Sequence, residues 1–207
     1  MGSIGQTLNS LEAVREIVGE PSQMMSLKIH DSLDEMSMAF IRRSPIFLLA
    51  TAGTDGLPEV SPKGDEPGFV AVEDPTTLLI PERKGNRLIF SLQNILDNPR
   101  VAMIFLVPGT EETLRVQGRA ELIADPALCE RLTARGRPAL LVTRITVERC
   151  YFHCAKAFKR ARLWDPDSWP PRQRVSFGEQ ARNRHGLDDE AASQIDVAVE
   201  EDYRLNL

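Results

Sequence analysis

Two basic stretches could do chemistry: Ser61-Pro62-Lys63-Gly64 and Arg83-Lys84-Gly85-Asn86-Arg87. Each falls where strand-type residues give way to a turn, so backbone N–H groups and cationic side chains can converge on one anion. The second stretch also opens a predicted helix over 87–96, with Asn86 as its N-cap and Leu88, Leu92, Ile95 and Leu96 on one face. A helix N-terminus carries unpaired N–H groups and roughly half a positive charge, which favours an anion there. Together the two stretches predict a phosphate cradle. The plain alternative is a solvated basic loop.

Two further groups carry charge in a pattern. The segment 113–123 alternates, with Leu114, Val116 and Gly118 on one side and Arg115, Gln117 and Arg119 on the other. Such a row suits an anionic or heteroaromatic ligand, or a face turned to solvent. The stretch 153–164 contains His153, Lys156, Lys159, Arg160 and Arg162 and ends on Trp164. Cys150, His153 and Cys154 lack the second ligand pair that structural zinc takes, so no metal site is expected. No nucleophile elbow, Walker sequence or dinucleotide-binding glycine fingerprint is present.

The elements that must position these groups read as follows. Helices are expected near 9–19 and 32–43, the second with Leu33, Met36, Phe40 and Ile41 on its apolar face; Met24, Met25, Met36 and Met38 read as packing residues. Strand-like runs at 46–51, 57–61, 69–72 and 77–80 suggest a four-strand meander, with 62–68 a Pro- and Gly-rich loop and Pro81 ending the fourth strand. Strands at 101–107, 113–123 and 139–151 follow, with a short helix at 127–135 between the last two. Helices at 176–184 and 188–205 close the chain. Six or seven strands with helices at both ends and in the crossovers predict a mainly β, α+β fold: a small antiparallel barrel with peripheral helices. The expected divisions are an N-terminal helical extension at 1–29, a barrel domain at 30–165 and a C-terminal helical extension at 166–207.

With 207 residues, the chain can bury a full core. Its net charge of −5 argues against a nucleic-acid partner, which needs a broadly basic surface. Local basic clusters in an acidic chain point instead to a small anionic ligand. No membrane span and no signal peptide are visible, and three unevenly placed cysteines, Cys129, Cys150 and Cys154, suit free thiols; the expected location is the cytoplasm.

The ordered set Thr54-Asp55-Gly56-Leu57-Pro58, Ser61-Pro62-Lys63-Gly64-Asp65, Gly85-Asn86-Arg87, Asn98-Pro99-Arg100-Val101 and Leu114-Arg115-Val116-Gln117-Gly118-Arg119-Ala120 resembles the FMN-binding split-barrel family related to pyridoxamine 5'-phosphate oxidase. Segments such as 151–157 and Leu163-Trp164-Asp165-Pro166 look like its bacterial branch of probable FMN-dependent enzymes. The resemblance implies an antiparallel FMN-binding split β-barrel and a homodimer holding FMN between subunits. It places Ser61, Pro62, Lys63 and Gly64 along the flavin, and Arg83, Asn86 and Arg87 near the ribityl phosphate. Arg115 and Gln117 would rise from the barrel strand, while Lys156, Arg160 and Trp164 would come from the partner subunit. The implied function is an oxidoreductase moving hydride or electrons from a nicotinamide or other small donor to an organic acceptor. The alternative is a non-catalytic flavin- or haem-binding module for storage or sensing. The family's Ser-Arg-Lys run is replaced here by Gly85-Asn86-Arg87, and its C-terminal Arg-Leu-His segment is absent, the nearest string being Arg162-Leu163-Trp164. These departures argue against oxidation of vitamin B6.

Overall fold

The protein is represented by a computed structural model that describes residues 7–22, 25 and 27–206. Alternating apolar residues build one seven-stranded sheet: β1 (Ile46–Ala52), β2 (Pro58–Gly64), β3 (Ala71–Asp74), β4 (Thr77–Glu82), β5 (Arg100–Leu106), β6 (Thr113–Ile123) and β7 (Leu141–His153). All neighbours are antiparallel, in the order β2-β1-β5-β6-β7-β4-β3. The sheet does not close on itself, which is the open seam of a split barrel.

That order corrects the four-strand meander. β1 and β2 form one hairpin and β3 and β4 another, and the two stand at opposite ends of the sheet. Nor does the 62–68 segment begin as a loop: Pro62, Lys63 and Gly64 pair with Leu48, Phe47 and Ile46. Proline is tolerated there because β2 is an edge strand. Pro81 likewise sits inside β4, opposite Val142, and the strand runs on to Glu82.

The inner face is mostly apolar where the strands alternate. Phe47, Leu49, Met103, Phe105, Leu114 and Val116 are buried, and the Phe47 ring packs at 5.0 Å from Phe105 and 5.9 Å from Phe69. A bulge between β6 and β7 falls at Gly118, whose missing Cβ lets the Thr146 carbonyl approach. The outer face of β1 and β5, with Leu48, Ala50, Ala102 and Ile104, is half-buried.

Seven α-helices accompany the sheet among the described residues: α1 (Leu11–Val18), α2 (Glu35–Arg43), α3 (Phe90–Asp97), α4 (Pro126–Arg131), α5 (Lys156–Ala161), α6 (Phe177–His185) and α7 (Asp189–Asn206). Ser10 caps α1 and Asp34 caps α2. α2 buries Ser37, Met38, Phe40 and Ile41, whereas Met36 and Met25 are exposed; Met24 lies outside the described residues. α1 buries none of its residues. α6 and α7 pack on each other, with Gly178 against the Ala192 backbone.

Candidate functional site

The sheet curls until β2 and β4 face each other across the seam. Lys63, opposite core residue Phe47, points inward from β2, and Glu82 continues the inward series Leu78, Ile80 of β4. Lys63 Nζ donates to Glu82 Oε2 at 2.5 Å, and Thr143 Oγ1 donates to Glu82 Oε1 at 2.9 Å. Beside this pair, Arg83 Nε donates to Asp65 Oδ2 at 3.0 Å. One ion pair thus joins strands that share no hydrogen bonds, and the second joins the residues just past their ends.

A groove of about 910 Å³ lies along the seam, within the size range of small-molecule sites. It gathers Ser61, Pro62, Lys63, Gly64, Arg83, Asn86 and Arg87, all seven of the residues expected from the two basic stretches. Its lining carries Lys63, Arg83, Lys84 and Arg87 against Glu59 and Glu82, and with Asp65 paired to Arg83 the cations exceed the carboxylates by one. Arg87 is exposed and, among the described residues, has no ion-pair partner. Lys84 Nζ donates to Asn206 Oδ1 at 2.7 Å, and Arg137 Nη2 to the Leu205 carbonyl at 3.0 Å, so the end of α7 sits at the groove's rim.

The helix at the groove starts later than expected. α3 begins at Phe90, not Arg87; Asn86 Oδ1 instead accepts the Leu88 N–H at 3.0 Å in a local turn. Arg87 (φ 63°) and Ile89 (φ 49°) are both left-handed, which costs each non-glycine residue on the order of 1 kcal/mol. The later start leaves Leu88 exposed, and Leu96 is exposed as well, so only Ser91 and Ile95 of α3 are buried. No side chain caps the N-terminus of α3, and its first N–H groups open beside the groove.

Arg115, Gln117, Lys156, Arg160 and Trp164 do not line this groove. Arg115 and Gln117 stand half-buried on the outer face of β6. Lys156 and Arg160 are exposed on α5. Trp164 stacks with Phe158 at 6.1 Å, donates its indole N–H to the Thr110 carbonyl at 2.9 Å, and walls a cleft of about 350 Å³ with Gly109 and Arg162. The sequence reading missed Glu82 and Asp65, the acids that hold two of the cations. The spacing Leu78, Ile80, Glu82 carries the signal for Glu82, since it extends the inward alternation by one step.

Among the described residues, two buried side-chain nitrogens lack a hydrogen-bond partner: Arg83 Nη1 at the groove and Arg115 Nε on the outer face. A buried unpaired guanidinium N–H is costly, and a bound anion is one way of meeting it. With the cation excess and the uncapped helix start, the groove fits a phosphate ester. No group of three or more His, Cys, Asp or Glu able to hold a metal exists among the described residues.

The sequence model of the pyridoxamine 5'-phosphate oxidase family matches residues 33–154, from the start of α2 to the end of β7. The chain belongs to that family. Solved structures with a similar fold include HupZ of Group A Streptococcus (TM-score 0.48, 21% identity, 58% of this chain and 93% of that one). A candidate pyridoxamine 5'-phosphate oxidase from Lactobacillus delbrueckii has a TM-score of 0.46 and 26% identity over 59% of this chain and 95% of that one. An FMN-binding protein from Syntrophomonas wolfei has a TM-score of 0.43 and 10% identity over 70% of this chain and 97% of that one. Comparison with curated proteins gives no match. Among the described residues, no helix is long and apolar enough to cross a membrane.

Proposed function

We propose that the protein is a homodimeric FMN-binding oxidoreductase that moves hydride or electrons between a nicotinamide or other small donor and an organic acceptor. The observation that carries this reading is the seam groove, where a net positive charge meets an uncapped helix start. A ribityl phosphate there would be held by Arg87, by the free edge of Arg83 and by the first N–H groups of α3. Ser61 and Pro62 would run along the flavin, with Lys63 held in place by Glu82. FMN supplies hydride and single-electron transfer when bound; the protein supplies position, charge and exclusion of water.

Membership of the family supports flavin binding, as does the S. wolfei relative described as an FMN-binding protein. The half-exposed apolar outer face of β1 and β5 supports dimerisation, because a second copy would cover it. That face also carries Arg115 and Gln117, which would then reach the partner's groove from across the interface. Lys156, Arg160 and Trp164 are assigned the same role. Oxidation of vitamin B6 is not part of the proposal, since the family's Ser-Arg-Lys and Arg-Leu-His segments are not conserved in kind here.

The test is the purified protein's own absorbance, with mass spectrometry of any released cofactor. Expected are a flavin spectrum, FMN as the released species, and weaker retention in Arg87→Gln by roughly 10- to 100-fold, the worth of one charge-assisted hydrogen bond. A colourless protein that takes up no FMN on titration overturns the reading. Anaerobic mixing with reduced nicotinamide separates an oxidoreductase, whose flavin bleaches, from a storage or sensing module, whose flavin does not.

A further inference from the structure

The outer face of β6 and β7 holds a second group of cations away from the seam groove. Arg115 is the register partner of Tyr151, and Thr113 of His153. Strand alternation therefore puts all four on one face, opposite the buried Leu114, Val116 and Cys150. Lys28 Nζ lies over the Tyr151 ring, 5.9 Å from its centre, a cation–π contact. The segment carrying Lys28 is fixed to β7 nearby: His30 N–H donates to the Cys150 carbonyl at 3.0 Å, and Cys150 N–H to the His30 carbonyl at 2.8 Å.

The charge here is uncompensated. Neither Lys28 nor Arg115 has an ion-pair partner among the described residues, whereas two of the four other arginines on the strands do: Arg100 pairs with Glu148, and Arg144 with Glu121 at 2.7 Å. The nearby acids are otherwise placed: Asp34 caps α2 through Ser37, and Asp31 accepts from Ser32. Arg115 Nε is buried with no acceptor. Burial, then the charges of Arg115 and Lys28, push the His153 imidazole below its ordinary pKa, which places both cations within electrostatic reach of that ring. Two unpaired cations, an orphaned buried donor and an imidazole on one aromatic-floored face make a receptor for an oxyanion.

We propose that Lys28, Arg115 and His153 form an oxyanion site on this face, taking the carboxylate or phosphate of a small-molecule substrate. In the proposed dimer the site opens toward the partner's groove and would hold the substrate beside the flavin. That placement rests on the flavin reading; binding of the anion does not. Lys28 and Arg115 pair with the anion, and His153 donates a ring N–H to it.

The probes are inorganic phosphate and acetate, titrated into the purified protein as isolated while the histidine ring signals are followed by NMR at constant pH and ionic strength. The chain has three histidines, and His153→Gln identifies the signal of interest. Expected is a saturable displacement of the His153 signal by one or both anions, weakened at least ~10-fold in Arg115→Gln and in Lys28→Gln, and unchanged in Arg144→Gln. Which anion acts tells phosphate substrates from carboxylate ones. Absence of a saturable displacement with either anion, or an affinity unaltered in the variants, overturns the proposal. Arg115 is half-buried, so Lys28→Gln at the surface decides the matter if Arg115→Gln does not fold. A colourless protein that takes up no FMN on titration yet still shows the response refutes the flavin reading and leaves this one standing. A yellow protein without the response does the reverse.

Discussion

Lys63 Nζ lies 2.5 Å from Glu82 Oε2, and the contact bridges two strands that are not neighbours in the sheet. The Glu82 side chain is 7% exposed and that of Lys63 20%, so water screens the pair only in part. Glu82 also accepts from Thr143, itself fully buried. Removing the carboxylate leaves an ammonium and a hydroxyl without partners at the seam. Glu82→Ala should therefore destabilise the fold by about 3 kcal/mol, and Glu82→Gln, which can still accept from Thr143, by clearly less. Urea unfolding midpoints check this; an unchanged midpoint in Glu82→Ala would show that the seam is not held by the pair.

Gly118 is required by geometry. A Cβ there would lie 2.0 Å from the Thr146 carbonyl oxygen, inside the β6–β7 bulge. That neighbour is backbone and cannot rotate away. Gly118→Ala should cost roughly 3 kcal/mol or more, as overpacking with backbone displacement does, and should lower the thermal midpoint by several degrees at least. A variant that melts like the parent would mean the bulge relaxes freely.

The strands were legible in the sequence because alternation is local: Leu114, Val116 and Gly118 against Arg115 and Gln117 can be read without knowing their neighbours. Sheet order was not, because β4 pairs with β7 across some sixty residues, and nothing in Thr77–Glu82 announces that partner. The start of α3 was misplaced for a related reason. Asn86 has the chemistry of an N-cap, but it spends its side chain on a turn, and the chain passes through left-handed Arg87 and Ile89 before the helix begins. Tertiary structure sustains that strain, and local propensity does not show it. The groove itself was half visible. Basic residues at strand ends marked Lys63, Arg83 and Arg87, whereas the pairing of Lys63 with Glu82 and of Arg83 with Asp65 emerged only when folding brought the seam together.

The three thiols differ enough to be counted. Cys129 and Cys150 are buried and Cys154 is exposed. Cys150 donates to the Ser32 carbonyl at 2.9 Å; burial first, then the charges of Asp34 and Asp31, raises its pKa and holds it as the inert thiol. A thiol reagent at neutral pH should titrate one cysteine in the native protein and three in denaturant, and Cys154→Ser should abolish the native reaction. Fast labelling of a second thiol in the native state would contradict the burial of Cys129 and Cys150.

The α6–α7 hairpin should loosen in acid before the sheet does. Asp196 on α7 accepts from Ser176 Oγ, the N-cap of α6, and from the Gly178 N–H at 3.0 Å, so a single carboxylate joins the two helices. These hydrogen bonds, the Ser176 one foremost, hold its pKa below the ordinary value of 3.8. A carboxyl depressed in the folded state contributes stability above its unfolded pKa, and that contribution is lost as pH falls through the folded value. The hairpin should therefore resist protease equally at pH 7 and pH 5 and become more open below about pH 3.8. Hydrogen exchange of the α6 amides, measured against those of β6, checks the order of loss. Asp196→Asn should bring the same loosening to neutral pH and flatten the acid dependence. Gly178→Ala, whose Cβ would fall 1.9 Å from the Ala192 carbonyl oxygen, should separate the helices at every pH while leaving the exchange of β6 unchanged. If β6 opened together with α6 in either variant, the hairpin and the sheet would form one cooperative unit, and the boundary expected near residue 166 would be wrong.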